Sequence, residues 1–163
     1  MLHCPVDKAT VKAAKSWIIE TAISLKSCKC PVCGQTVKLY PRNLSSALAR
    51  FLIDIYKLTI DRPAHSRWVN VSQEMIDRTE HHVSRDYAKL RFWGLLEANA
   101  TQNGEWRITE AGIAFVEGRS VTPQKAYVYN NYCVRLSSTM TDIKGALGKK
   151  FSLHDLLEPK EVV

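Results

Sequence analysis

Four of the five cysteines, Cys4, Cys28, Cys30 and Cys33, fall within the first 33 residues, and the fifth, Cys133, lies far downstream. Two thiolates two residues apart can grip one tetrahedral ion at about 2.3 Å while backbone amides of the turn point at the sulfurs. Cys30-Pro31-Val32-Cys33-Gly34 has that spacing, and Gly34 relaxes the turn. A closed structural site needs four ligands, and Cys4 and Cys28 are the nearest candidates for the other two. His3 could replace one of them, because the C-x-C spacing of Cys28 and Cys30 is less usual. A four-cysteine shell leaves no open position for water, so the expected zinc is structural rather than catalytic. An iron-sulfur cluster has the ligands too, but the compact CPVCG knuckle favours zinc. The N-terminus MLHCPVDKA has no apolar signal region, so the clustered thiols point to metal instead of disulfides.

The elements that must position these thiols follow from periodicity. Val11, Ala14, Ile18, Ala22 and Leu25 recur at helical spacing, which predicts a helix near residues 8–26, capped by Asp7 and clasped at both ends by the ion. Gln35 to Tyr40 alternates as a strand leaving the knuckle, and Pro41 is expected to stop it. A second helix, residues 44–60, carries a wide apolar face of Leu44, Leu48, Phe51, Leu52, Ile55 and Tyr56. Trp68, Val69 and Val71 suit a short strand, and Ser72 starts a short helix with Met75 inward. His81 and His82 are adjacent on a turn with no cysteine or carboxylate at ligand spacing, which reads as a solvated turn.

A further helix opens at Ser84 and ends near Trp93-Gly94. Val83, Tyr87 and Leu90 line one side of it; Arg85, Ala88, Lys89 and Phe92 take the other, with Arg91 at the border. That small, basic outward face suits a major groove, where guanidinium groups meet guanine edges or phosphates. The turn from Ala98 to Glu105 contains Asn103-Gly104, a hairpin signal, yet it carries no Lys or Arg. Arg107 is the nearest cation to it.

The run Trp106-Arg107-Ile108-Thr109-Glu110-Ala111-Gly112-Ile113-Ala114-Phe115 resembles the close of many winged-helix proteins, in which a strand carrying Ile/Leu-Thr-x-x-Gly enters a final helix. With Phe92-Trp93-Gly94-Leu95-Leu96-Glu97-Ala98 before it, the region is similar to bacterial winged-helix regulators of the multiple-antibiotic-resistance type, over residues 44–118. The resemblance implies that fold and its common use, duplex DNA binding, although the fold also serves protein interaction. Downstream, Ala126-Tyr-Val-Tyr-Asn-Asn-Tyr-Cys-Val-Arg-Leu136 reads as two strands about Asn130-Asn131, and Asp142 and Ser152 can cap two short helices. The tail ALGKKFSLHDLLE resembles the ending of small phage and prophage-type proteins, which implies no activity.

Net charge is +7, in a chain that is 45% hydrophobic and 24% charged, which is a globular rather than a disordered composition. Residues 1–60 hold nine Lys and Arg against three Asp and Glu, while residues 61–120 hold eight against nine. No run of about 18 apolar residues occurs, so no membrane span is expected and the reading is cytoplasmic. There is no Gly-rich phosphate loop, His-Glu-x-x-His or G-x-S-x-G elbow, which disfavours an enzyme.

The expected fold class is α+β: a zinc-ribbon-like helix and knuckle module (1–41), a winged-helix domain (42–119), and a C-terminal β-hairpin with short helices (120–163). The expected function is a zinc-stabilised, double-stranded-DNA-binding regulator. Arg85, Lys89, Arg91 and Arg107 are the candidate contacts from the winged helix, and Lys29, Lys38 and Arg42 those beside the knuckle. A protein-protein adaptor or inhibitor acting on a host complex is the alternative, RNA binding through the basic module is a third reading, and the exposed hairpin would permit a homodimer.

Overall fold

The computed structural model describes residues 10–25, 27–75 and 85–158. The expectations placed on His3, Cys4, Asp7, His81, His82, Val83 and Ser84 lie outside them. The chain is mixed α and β with small antiparallel sheets, and it divides into two compact units that are not contiguous in sequence. One takes the described residues up to Arg42 together with Lys125–Leu136. The other takes Asn43–Gln124 and the described residues from Ser137 onward.

The first unit begins with α1 (Val11–Leu25), which packs on a two-stranded ribbon of β1 (Ser27–Lys29) and β2 (Thr36–Lys38). Ile18, Ala22, Val37 and Leu39 form its buried cluster, with Trp17, Tyr127, Tyr129 and Val134 packed around them. β3 (Tyr40–Asn43) runs straight through Pro41, contrary to the expected stop. It lies at the edge of a three-stranded sheet, beside β8 (Lys125–Tyr129) and then β9 (Tyr132–Leu136). An edge strand tolerates proline because its missing amide need not face a neighbour. β8 and β9 form the expected hairpin, with Asn130 at φ 45° and Asn131 at φ 65° in the turn and Tyr129 paired with Tyr132. The register slips between Tyr127 and Val128, which leaves Val134 as an extra residue in β9.

In the second unit, α2 (Ser46–Thr59) is the central element. Ser45 caps it by accepting from the Leu48 amide at 3.4 Å, and it buries Leu48, Ala49, Phe51, Leu52, Ile53 and Ile55. β4 (Val69–Asn70), β5 (Leu96–Ala98) and β6 (Glu105–Ile108) form an antiparallel sheet in the order β4-β6-β5. Between β4 and β5 the chain coils as a 3-10 helix, Arg85–Trp93, where an α-helix was expected. With three residues per turn, Tyr87, Leu90 and Trp93 fall in one line. Leu90 and Trp93 are buried, and Tyr87 stacks on Phe51 at 4.8 Å and meets the edge of Trp106 at 5.5 Å. Trp93 Nε1 donates to the Pro123 carbonyl at 2.7 Å, next to the short pair of β7 (Thr122–Pro123) with β10 (Met140–Thr141).

The Ile-Thr-x-x-Gly run is a packing device. Thr109 Oγ1 accepts from the Gly112 amide at 3.0 Å, capping α3 (Glu110–Val116), and donates to the Gly94 carbonyl at 2.6 Å. The Thr109 amide donates to the Leu95 carbonyl at 3.2 Å. α4 (Ile143–Leu147), capped by Asp142, and α5 (Leu153–Leu157), capped by Ser152, complete the unit. Lys57 Nζ donates to the carbonyls of Leu156 (2.9 Å) and Glu158 (3.1 Å) at the end of α5, and the Arg50 guanidinium lies 4.4 Å over the Phe151 ring. Among the described residues, no helix is long and apolar enough to cross a membrane.

A Cβ on Gly112 would sit 2.3 Å from the Leu95 carbonyl oxygen, a backbone atom just before β5, and 2.8 Å from Cγ1 of the buried Ile108 side chain on β6. Gly112→Ala is therefore expected to destabilise the protein by about 1–3 kcal/mol, read as a lowered midpoint in thermal or urea unfolding. An unchanged midpoint would show that this junction yields freely.

Candidate metal knuckle and nucleic-acid interface

The ribbon folds about its cysteines. Cys28 pairs with Val37 in the β1–β2 register, and beyond Lys29 the chain turns through Pro31 to Cys33 and returns at Thr36. The Cys30 amide donates to the Gln35 carbonyl at 2.8 Å and the Gly34 amide to the Cys30 carbonyl at 2.9 Å, so the turn continues the ladder. Gly34 has φ 70°, a left-handed conformation that a side chain would strain. The Cys30 thiol is drawn below its ordinary range, most by the backbone N–H of Cys33, then by that of Val32, then by the Cys33 side chain. Two amides aimed at one sulfur are what a thiolate bound to a cation needs, so Cys30 and Cys33 fit a metal knuckle.

Cys28 has different surroundings. It is half-buried against the α1 cluster, its thiol donates to the Ile18 carbonyl at 3.8 Å, and burial, with the neighbouring Cys30 second, pushes its pKa up. Cys4 lies outside the described residues, and among the described residues no three of His, Cys, Asp and Glu come together as a metal site. Cys133 on β9 is a half-buried free thiol whose pKa is raised by burial.

The candidate nucleic-acid contacts separate into two groups. Lys89 is bound to Asp86 at 2.5 Å, one 3-10 turn away, and Arg107 grips Glu97 across the β5–β6 pair at 2.6 Å while lying 4.5 Å over the Trp68 ring. Arg91 is exposed, with its guanidinium 5.3 Å from the Phe92 ring, and the Arg85 side chain is not among those described. Beside the knuckle, Lys29 and Lys38 on the ribbon and Arg42 on β3 are all exposed. The turn between β5 and β6 is held by the Asn99 side chain, whose Oδ1 accepts from the Thr101 backbone amide at 3.0 Å and whose Nδ2 donates to the Glu105 carboxylate at 2.9 Å. That turn carries no cation.

Sequence reasoning placed the hairpin in a C-terminal extension, whereas the fold groups it with the cysteine unit. The alternation of AYVYNNYCVRL announces a hairpin but not where its inward Tyr127, Tyr129 and Val134 will pack. The grouping redistributes the charge. The cysteine unit, Met1–Arg42 with Lys125–Leu136, has nine Lys and Arg against two Asp and Glu in its sequence; the rest of the chain has fourteen against fourteen. The whole net charge of +7 thus belongs to the smaller unit.

Comparison of the chain with protein-family models, curated proteins and solved structures gives no match.

The thiol environments set an order of reactivity, since the thiolate is the nucleophile. In chelator-treated protein near neutral pH, alkylation followed by peptide mass mapping should mark Cys30 well before Cys28 or Cys133. Cys28 reacting first would contradict the amide-to-sulfur geometry of the knuckle.

Proposed function

We propose that this protein is a zinc-stabilised, winged-helix-type DNA-binding regulator whose charge for the duplex is supplied by its cysteine unit. The observation that carries this reading is the partition of charge: the knuckle unit holds all of the +7, and the second unit is neutral. A compact basic surface suits a polyanionic backbone, whose binding is driven by counterion release. The order α2, β4, 3-10 helix, β5, β6, α3, with its β4-β6-β5 sheet, supports the winged-helix part of the reading. For zinc, the support is the Cys30 and Cys33 knuckle, with Cys28 and Cys4 as the candidates to complete the shell. Bound zinc would supply folding energy to the ribbon, and no chemistry is asked of it.

A second reading, a protein-protein adaptor working on a host complex, is favoured by one feature of the neutral unit. Lys89 and Arg107, two of the cations the helix and wing would offer to phosphates, are engaged by Asp86 and Glu97.

Metal analysis of the purified full chain should return one zinc per molecule, lost in the Cys30→Ser, Cys33→Ser double variant. Duplex binding should weaken steeply with salt, by roughly a hundredfold or more between about 50 and 200 mM if four or more phosphates are contacted. No measurable duplex affinity at the lower salt, together with a stoichiometric protein partner retained after nuclease treatment, would replace this function with the adaptor.

A further inference from the structure

The register of the ribbon gathers four side chains on one face. Ser27 is opposite Lys38 and Lys29 is opposite Thr36. Residues directly opposite in an antiparallel pair share a face, as do residues two apart along a strand. Ser27, Lys29, Thr36 and Lys38 therefore form one patch, with the two lysines on its diagonal, and all four are exposed. The alternate residues, Cys28 and Val37, turn the other way into the α1 cluster. The patch contains no acid, and among the described residues neither lysine is in an ion pair, in contrast to Lys89 and Arg107. The knuckle closes the ribbon at its tip through the Cys30–Gln35 and Gly34–Cys30 bonds, so this face is held at the end of a pinned turn.

We infer that the outward face of the β1–β2 ribbon is the docking surface for duplex DNA, entering the major groove in place of the 3-10 helix. This rests on the DNA-binding function proposed above and assigns the contact within it. The dimensions suit: three-residue strands make a ribbon about 10 Å long, and the major groove, about 12 Å wide, admits a two-stranded β-ribbon. The chemistry suits too. Lysine ammonium groups reach phosphates or the O6 and N7 acceptors of guanine, and the hydroxyls of Ser27 and Thr36 donate or accept at base edges. The charge of the unit, nine cations against two anions, favours a polyanionic occupant over an apolar or basic protein surface, and the fit of the narrow ribbon to the major groove selects the duplex.

The test compares two double variants of the zinc-loaded full chain, Lys29→Gln with Lys38→Gln and Lys89→Gln with Arg91→Gln, on a mixed-sequence duplex and on the corresponding single strand. All four positions are exposed or half-buried, and circular dichroism and zinc content check that each variant is folded. The ribbon variant should lose roughly tenfold in duplex affinity and lower the slope of log affinity against log salt by about 2, while the helix variant changes less than the ribbon variant in both. Wild-type binding that is unchanged in the ribbon variant overturns the ribbon assignment and leaves the DNA-binding function standing. Preference of the wild type for the single strand also overturns the assignment. Absence of wild-type binding to either nucleic acid overturns both.

Discussion

The cysteine unit has to hold its shape with very little core. Its buried apolar residues, among those described, are Ile18, Ala22, Val37, Leu39, Ala126 and Val128, whereas the second unit buries twenty-two. Units this small bury too little of their surface to be stable on apolar contact alone and lean on staples. Among the described residues, Trp17 Nε1 and Thr21 Oγ1 on α1 are buried without a hydrogen-bond partner. What the structure does supply is a hairpin drawn from far along the chain, which lays Tyr127, Tyr129 and Val134 against the cluster, and a turn whose amides converge on Cys30. Under the proposed function, a metal held at that turn would add binding energy to the folding of a unit with little core.

The second unit solves its problem differently and is left with fewer opportunities at its surface. Phe51, Tyr87 and Trp106 form a continuous aromatic contact from α2 through the 3-10 helix to the sheet, and the Leu95 carbonyl ties Thr109 into the start of α3. Among the described residues, several of its cations are engaged inside the unit. Arg107 joins β5 to β6 through Glu97, Arg62 meets Glu74 at 3.3 Å, Arg119 binds Glu117, and Lys57 closes the end of α5. Each such exposed pair contributes only about 0–1 kcal/mol, but together they remove cations from the solvent-facing set. A neutral unit whose arginines face its own glutamates has little long-range attraction for a polyanion.

The local elements were legible in the sequence where one chemistry decides them. The helix over 44–60 followed from a wide apolar face, the turn at Asn130-Asn131 from the tolerance of asparagine for positive φ, and the short helices from Asp142 and Ser152. Two misreadings have physical reasons. Pro41 terminates a strand only if a neighbour needs its amide, and whether β3 would be an edge depended on β8, more than eighty residues away. The stretch after Ser84 shows apolar residues at Tyr87, Leu90 and Trp93, a spacing of three that is shared by both helix types, and only packing against Phe51 and β5 separates them. The spacing of Cys30 and Cys33 marked the turn that closes the ribbon, but the inward orientation of Cys28 came from the ribbon register, which no motif encodes.

The same register bears on the order in which fold and function arise here. A three-residue strand with Cys28 facing in must send Ser27 and Lys29 out, and the antiparallel partner with Val37 facing in must send Thr36 and Lys38 out. The residues that pack the core and those that meet solvent are therefore set together, since a slip of one position in either strand would turn that strand's lysine inward and its Cys28 or Val37 outward. Burial of a lysine without a partner is prohibitive in so small a core, so packing enforces the basic patch without any selection for a ligand. The hydrogen-bonded knuckle at the tip then fixes the register from the other end, because the Cys30 amide and the Gln35 carbonyl can meet only in this alignment. Stability of the ribbon and presentation of its cations are one constraint, and weakening the knuckle disturbs both at once.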